Sequence, residues 1–153
     1  MKDKTIDYIL RTTWLSVQKM YNEEAAKFES TMATGFTLLS IDPEKGTPST
    51  ALGPKMGMEA TSLSRILKTM EKKGLIERHP NPEDGRGVII SLTDFGREKR
   101  IYSKEKVLTF NEAIKRAVSE DKLKHFFEVA EVINDMVSNK KIYNQIESSL
   151  KIK

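Results

Sequence analysis

The chain has 153 residues, of which 38% are hydrophobic and 31% charged, and a formal net charge of +4. This length favours a single domain with a substantial core, and the mild positive charge is compatible with a polyanionic partner. The sequence contains no cysteine, which excludes disulfide bridges, zinc-thiolate sites and cysteine-based redox sensing. No stretch approaches the roughly 18 consecutive apolar residues of a membrane span, so we expect a cytoplasmic protein without membrane contact.

The first segment has the clearest helical pattern. Apolar residues recur at spacings of mostly three and four from Ile6 to Phe28, which is the periodicity of one helix face. This stripe is longer than that of an average globular helix. We therefore predict that part of it packs against a second copy of the chain.

Two short helices are predicted next. Residues 34–41 form one, and the stretch 42–48, with its prolines and glycine, is a loop. Residues 49–56 form the other, for which Ser49 or Thr50 suits the N-cap position.

A strong helix is predicted over residues 59–73, between two glycines. Gly57 interrupts the chain before it, and Gly74 suits the left-handed position that ends a helix. Its buried face comprises Leu63, Ile66, Leu67 and Met70. Its other side is polar and carries Thr61, Ser62, Ser64, Arg65 and Lys68.

A β-hairpin over residues 76–92 follows, with short strands at 75–78 and 88–92 joined by a loop rich in Pro, Asn, Asp and Gly. Thr93 suits the N-cap of the next helix. Helical patterning then continues through residues 101–118 and, after a second cap signal at Ser119, through residues 123–137.

The polar side of the 59–73 helix has the chemistry of a DNA-reading surface. The major groove admits one α-helix, whose first turns must carry short polar groups to reach base edges. Thr61, Ser62 and Ser64 meet this requirement, and Arg65 can reach a guanine or a phosphate. Lys55, Lys68 and Lys72 can neutralise phosphates. A solvated polar face explains this helix equally well when the helix is considered alone.

The hairpin favours the DNA-binding interpretation. An arginine on an extended ribbon, here Arg86, can enter the narrow minor groove, where the negative potential is strongest. Asp84, two residues earlier, can hold the guanidinium. A surface hairpin with an ordinary ion pair is the simpler explanation of these two residues in isolation, but their position after a groove-compatible helix makes it the weaker one.

The same residues resemble the MarR family of bacterial and archaeal transcriptional regulators. The resemblance covers residues 38–100 and lies in three runs: Gly57-x-x-x-x-Ser62-Leu-Ser-Arg65, Met70-Glu-Lys-Lys-Gly74-Leu-Ile-Glu-Arg78, and Asp84-x-Arg86 followed by Leu92-Thr93 and Gly96. It implies a mostly α fold with a small β-wing. Within a single domain (1–153), a winged helix-turn-helix lobe (34–98) would be flanked by N- and C-terminal dimerisation helices (1–30 and 99–153).

Family resemblance also implies roles for individual residues. The helix 59–73 would place Thr61, Ser62, Ser64 and Arg65 in the major groove of a pseudo-palindromic operator, with Arg86 as the wing-tip arginine and Asp84 as its partner. Ser49 and Thr50 open the helix that positions the reader and would approach phosphates. Two departures from the family pattern are Leu52-Gly-Pro-Lys-Met56, which predicts a bent positioning helix, and a wing tip with one basic residue fewer.

Many members of the family respond to a small-molecule effector bound between the dimerisation helices and the winged lobe. The residues that could line such a pocket are Trp14, Val17, Met32, Phe36 and Phe110. Each of them is also an ordinary core residue by type. The absence of cysteine argues against the peroxide-sensing branch.

No catalytic or metal site is predicted. His79 and His125 are the only histidines and have no ligand spacing around them, and neither a nucleophile elbow nor a phosphate-binding glycine loop is present. We therefore expect no enzyme activity and no cofactor. The leading prediction is a sequence-specific double-stranded DNA-binding transcriptional regulator that acts as a homodimeric, ligand-responsive repressor. The alternatives are a winged-helix protein-interaction module and a small-molecule sensor without DNA binding.

Overall fold

The computed structural model describes residues 5–143, which form two compact units, one ending at Lys106 and the other beginning at Val107. The elements in chain order are α1 (Ile6–Ala26), α2 (Met32–Ser40), β1 (Thr47–Pro48), α3 (Ser49–Met56), α4 (Ala60–Lys72), β2 (Ile76–Asn81), β3 (Asp84–Leu92), α5 (Asp94–Ala117) and α6 (Glu120–Ser138). This arrangement confirms the predicted fold class, mostly α with a small β-wing. The ends of the predicted dimerisation segments, residues 1–4 and 144–153, lie outside the described residues.

The core of the first unit lies where α2, α3 and α4 meet the small sheet. Its buried side chains are Leu38, Ile41, Leu52, Leu63, Leu67, Met70, Leu75, Ile76, Ile90 and Leu92. Full burial of one such side chain contributes roughly 1.5–3 kcal/mol. Because three of the ten belong to α4, burial of its apolar face fixes which residues that helix presents to solvent.

The sheet is antiparallel in the order β1-β3-β2. β2 and β3 extend further than predicted, because their pairing continues from Ile76–Leu92 out to Asn81–Asp84, with a register shift between Pro80 and Asn81. β1 was not predicted. Its two residues pair with Ile89 and Ile90 of β3, which closes the inner edge of the wing.

Most helix boundaries agree with the sequence to within one or two residues. α3 has the predicted bounds and α4 is one residue shorter at each end. The N-cap prediction for α3 was wrong: Pro48 occupies that position, and Ser49 is already helical. The reason is that Pro48 is still paired with Ile89 in β1, so the chain leaves the extended conformation directly after it.

Helix α1 has no buried residue within the described chain and ends at Ala26, two residues before the end of its apolar stripe. It is joined to the first part of α5 by an ion pair of 3.1 Å between Glu24 and Lys106. Hydrogen bonds from Lys27 and from Lys106 hold the pKa of Glu24 below its usual value, and the bond to Glu24 raises the pKa of Lys106.

Helix α6 also has no buried residue. Large apolar side chains, among them Phe126, Phe127 and Val132, are more than half exposed on it. Between residues 5 and 143, no helix is long and apolar enough to cross a membrane.

Candidate nucleic-acid interface

The solvent face of α4 is formed by short polar and basic side chains. Leu63, Leu67 and Met70 are buried beneath it. The α4 residues that the sequence assigned to DNA contact all lie on the exposed side: Thr61, Ser62, Ser64, Arg65 and Lys68. An open groove runs along this side and is lined by Arg65, Lys68, Thr69, Glu71 and Lys72. The structure therefore brings these groups together on a surface that no core contact occupies.

The junction between α3 and α4 is a Schellman motif built on a glycine. Gly57 has a φ of 61°, which a residue with a Cβ adopts only at a cost. Its N–H donates to the carbonyl of Pro54 at 3.2 Å, and the Met58 N–H donates to that of Gly53 at 2.9 Å. This pairing satisfies carbonyls that the end of α3 would otherwise leave unbonded and fixes where α4 begins.

The end of α4 repeats the same device. Gly74 has a φ of 72°, its N–H donates to the carbonyl of Glu71 at 3.0 Å, and the Leu75 N–H donates to that of Met70 at 3.0 Å. The Leu75 side chain is buried with Met70 in the core. Both glycines that the sequence marked as helix breaks therefore adopt the left-handed conformation.

The predicted phosphate contacts on α3 are less uniform. Thr50 is exposed in the first turn, whereas Ser49 is half-buried. The Lys55 ammonium donates to the carbonyl of Ser40, at the end of α2, at 2.8 Å. Lys55 thus already has a structural partner.

The α3 helix continues through Pro54. Gly53 before it is buried, and a Cβ there would lie 3.1 Å from the carbonyl oxygen of Met58. A glycine at position 53 therefore leaves room for the backbone of the turn that leads into α4, which explains one of the two departures from the family pattern.

The wing tip presents Arg86 to solvent. Asp84 does not pair with its guanidinium among the described ion pairs; instead, the Arg86 backbone N–H donates to the Asp84 carboxylate at 3.1 Å. The Glu83 N–H makes the equivalent bond to the Asn81 side chain at 3.0 Å. The expected partnership is corrected accordingly: Asp84 shapes the backbone of the tip, because a carboxylate two residues ahead reaches an amide more easily than a long side chain.

Side-chain hydrogen bonds connect both the wing and the start of α5 to α4. Of these contacts, the sequence predicted only the capping role of Thr93. The Arg78 guanidinium of β2 donates to the Glu71 carboxylate of α4 at 3.1 Å. The Thr93 hydroxyl accepts the Gly96 N–H at 2.9 Å, as its predicted capping role requires, and also donates to the Gly74 carbonyl at 2.6 Å. The start of α5 is therefore bonded to the residue that ends α4.

The residues predicted to line an effector pocket differ in how far they are buried. Trp14 is 48% exposed, Val17 and Met32 are half-buried, and Phe36 packs edge-on against Tyr21 with ring centroids 5.5 Å apart. Phe110 is half-buried and belongs to the second unit. None of these five residues is in the buried core. No group of three or more potential metal ligands is present in residues 5–143.

A winged helix-turn-helix lobe with an exposed polar and basic face on α4 is the class that these observations define. Residues 31–88 match the model of the MarR family. Over this segment the chain is similar to the MarR family, in agreement with the resemblance found in the sequence.

Individual relatives agree with this assignment. A helix-turn-helix transcriptional regulator of Bacillus subtilis (strain 168), YdgJ, is 30% identical over 88 residues, which are 58% of this chain and 54% of YdgJ. The chain matches between a quarter and three fifths of the length of the first curated relatives.

Solved structures show the same fold over most of the chain. The Staphylococcus aureus MepR–DNA complex has a TM-score of 0.76 at 19% identity, covering 90% of this chain and 98% of MepR. The PcaV regulator of Streptomyces coelicolor, solved with its natural ligand, has a TM-score of 0.75 at 18% identity, covering 90% and 99%.

Proposed function

We propose that this protein is a sequence-specific, double-stranded DNA-binding transcriptional regulator. The observation that carries the proposal is the exposed polar face of α4, which is fixed at both ends and accompanied by an exposed arginine at the tip of the adjoining wing. The MepR neighbour, which shares the fold, was solved with DNA. The similarity to the MarR family leads us to expect that the chain regulates transcription and has no enzyme activity, and a cytoplasmic location suits that role.

The role of each side chain follows from its reach. Thr61, Ser62 and Ser64 are short enough to hydrogen-bond base edges once α4 enters the major groove, and Arg65 can bind a guanine with two hydrogen bonds. Lys68 lies farther along the same face and suits a phosphate. Thr50 and Ser49 lie in the first turn of α3, where hydroxyls can meet the phosphate backbone.

Lys55 contributes less than its charge suggests, because its ammonium is held by the Ser40 carbonyl. Arg86 is proposed for the minor groove, where a single arginine benefits from the strong negative potential. Asp84 supports it by fixing the backbone of the tip.

The functional unit in this proposal is a homodimer. Large apolar side chains stay exposed on α1, including Ile6 at 67% and Leu15 at 52%, and on α6, including Phe126 at 59%. Exposed apolar area of this extent marks an interaction surface. Segments 1–30 and 99–153 would dimerise, and the 34–98 lobes would read half-sites roughly 34–36 Å apart.

Ligand-responsive repression is the regulatory mode we propose. PcaV was solved with its natural ligand. Trp14, Val17, Met32 and Phe36 are the residues of the first unit that we assign to an effector pocket.

The direct test selects binding sites from a random duplex library and measures affinity for the selected duplex against a scrambled duplex of equal length. We expect selection of a pseudo-palindrome. Arg65→Ala should cost about 1–3 kcal/mol and relax selection at one base position per half-site. Arg86→Ala should weaken binding and reduce the salt slope by about 0.9 per wing. Lys45→Ala, which removes an exposed positive charge from the loop before β1, outside the proposed DNA contacts and dimerisation segments, is the control.

Failure of the wild-type dimer to bind any duplex at low salt would refute the proposal. A flat salt dependence would instead indicate a protein-interaction module. Light scattering at micromolar concentration tests the dimer, and a monomeric mass contradicts it.

A further inference from the structure

The corner between α1 and α2 is held in an unfavourable backbone conformation. Glu29 has a φ of 53°, a left-handed conformation that costs energy for any residue with a Cβ. Its N–H donates to the carbonyl of Ala26 and the Ser30 N–H to that of Ala25, both at 3.1 Å. This is again a Schellman ending, but with glutamate where α3 and α4 use glycine.

A side chain of α1 bridges this corner to α2. The Asn22 side chain accepts the Met32 N–H, at the first residue of α2, at 3.0 Å and donates to the Gln18 carbonyl at 3.1 Å. The body of α1 is thereby bonded directly to the start of α2, across the turn that contains Glu29.

Helix α4 also contacts this corner. The Lys73 ammonium donates to the carbonyl of Glu29 at 2.7 Å, between residues 44 positions apart in sequence. Lys73 is the C-cap residue of α4, and its N–H donates to the Thr69 carbonyl at 3.0 Å. The end of the reading helix is therefore attached to the left-handed residue at the end of α1.

We propose that Lys73 is a positioning residue, which sets the orientation of α4 relative to α1 and acts on DNA recognition through α4, without contacting DNA. The inference rests on the proposed DNA-binding function. Rotation of α4 would displace its first turn, which carries the proposed base contacts. A bond from its C-cap residue, Lys73, to another element opposes that rotation. Base contacts, which depend on orientation, would suffer more than phosphate contacts.

Lys72 provides a matched contrast on the same helix. It lines the open groove with Arg65 and Lys68, and no polar contact within the described part of the chain involves it. Lys72→Met and Lys73→Met remove the same charge from adjacent positions. Removal of a phosphate-binding charge at position 72 lowers the salt slope by about 0.9 per subunit, whereas removal of the Lys73 bond leaves the slope unchanged.

The experiment compares affinities for the selected duplex and a scrambled duplex. Lys73→Met should weaken selected-duplex binding about threefold to tenfold, the scale of one charge-assisted hydrogen bond at a partly exposed site. Its scrambled-duplex affinity and salt slope should match the wild type. Lys73→Arg, which retains a donor of similar length, should restore selected-duplex affinity. Equal losses of affinity for both duplexes, with a reduced salt slope, would show that Lys73 contacts a phosphate. Unchanged affinity for the selected duplex would show that Lys73 does not position α4. Either result overturns the proposal.

A second measurement needs no DNA. In free protein, Lys73→Met should accelerate amide hydrogen exchange at Gly74 and Leu75 relative to Lys72→Met, because the end of α4 opens more readily. Equal exchange in the two variants overturns the anchoring. If the wild type selects no duplex, the proposed function fails by itself, while exchange still decides whether Lys73 anchors α4.

Discussion

Replacing Gly96 with alanine is expected to lower the free energy of unfolding by about 2–4 kcal/mol. Gly96 is buried in the first turn of α5, and a Cβ at this position would overlap the backbone carbonyl oxygen of Leu75. That oxygen accepts the Thr93 N–H at 3.2 Å. The Thr93 hydroxyl in turn bonds Gly74 and Gly96, so the carbonyl cannot rotate away without disrupting the junction.

The magnitude follows from three contributions. Forcing an extra carbon into a packed site costs about 1–3 kcal/mol. Loss of two hydrogen bonds at the junction adds about 2 kcal/mol. Alanine recovers about 1 kcal/mol, because it is the better helix former.

Urea unfolding followed by circular dichroism at one fixed protein concentration measures the difference. The fixed concentration matters because a dimer gains apparent stability with concentration. Gly85→Ala is the matched control, since a Cβ there meets nothing within 4 Å, and its effect should stay within about 0.5 kcal/mol. A Gly96→Ala protein equally close to the wild type, with an unchanged m-value, would refute the reasoning.

Three further substitutions test other parts of the structure. Glu29→Gly should raise the free energy of unfolding by about 1 kcal/mol, because glycine adopts the left-handed conformation without a Cβ clash, and a loss in urea unfolding would contradict that. Glu24, whose pKa lies below the ordinary 4.5 because of hydrogen bonds from Lys27 and Lys106, contributes stability above that pH and loses it as pH falls through its folded value. Below pH 4.5 the wild type should therefore lose stability more steeply than Glu24→Gln, and parallel pH profiles would exclude the effect. Leu67→Ala should cost about 2–5 kcal/mol, measured by thermal unfolding; a change below about 1 kcal/mol would mean that α4 is not anchored by its buried face.

The elements with strong local signals were predictable from sequence. α4 lies between two left-handed glycines, Gly57 and Gly74, and α3 ends at the first of them, so these helix ends could be read almost to the residue. The capping role of Thr93 followed from its position before Asp94. β1 gave no such signal, because two residues cannot show an alternating pattern, and the outer wing was hidden by Pro80 and the neighbouring glycines, which disfavour strands when considered locally.

Partners of long charged side chains were the least predictable part. Lys55 bonds a backbone carbonyl 15 residues away, and nothing in the residue types distinguishes it from Lys68, which lies on the open face. The atom of Arg86 that Asp84 contacts was unpredictable for a related reason. Spacing shows that a carboxylate is near an arginine, but whether it meets the guanidinium or the amide depends on the turn.

Under the proposed DNA-binding function, the separation of the two faces of α4 has a consequence for how operator preference can evolve. Its buried leucines and methionine hold the helix, while its hydroxyls and basic groups project outward, away from the core. Substitutions at Thr61, Ser62 or Ser64 can therefore accumulate with little loss of folding stability. The glycines at both ends keep α4 from sliding, so each new side chain would occupy the same place as the one it replaced. Such a scaffold lets descendants of one gene acquire different target sequences by single substitutions.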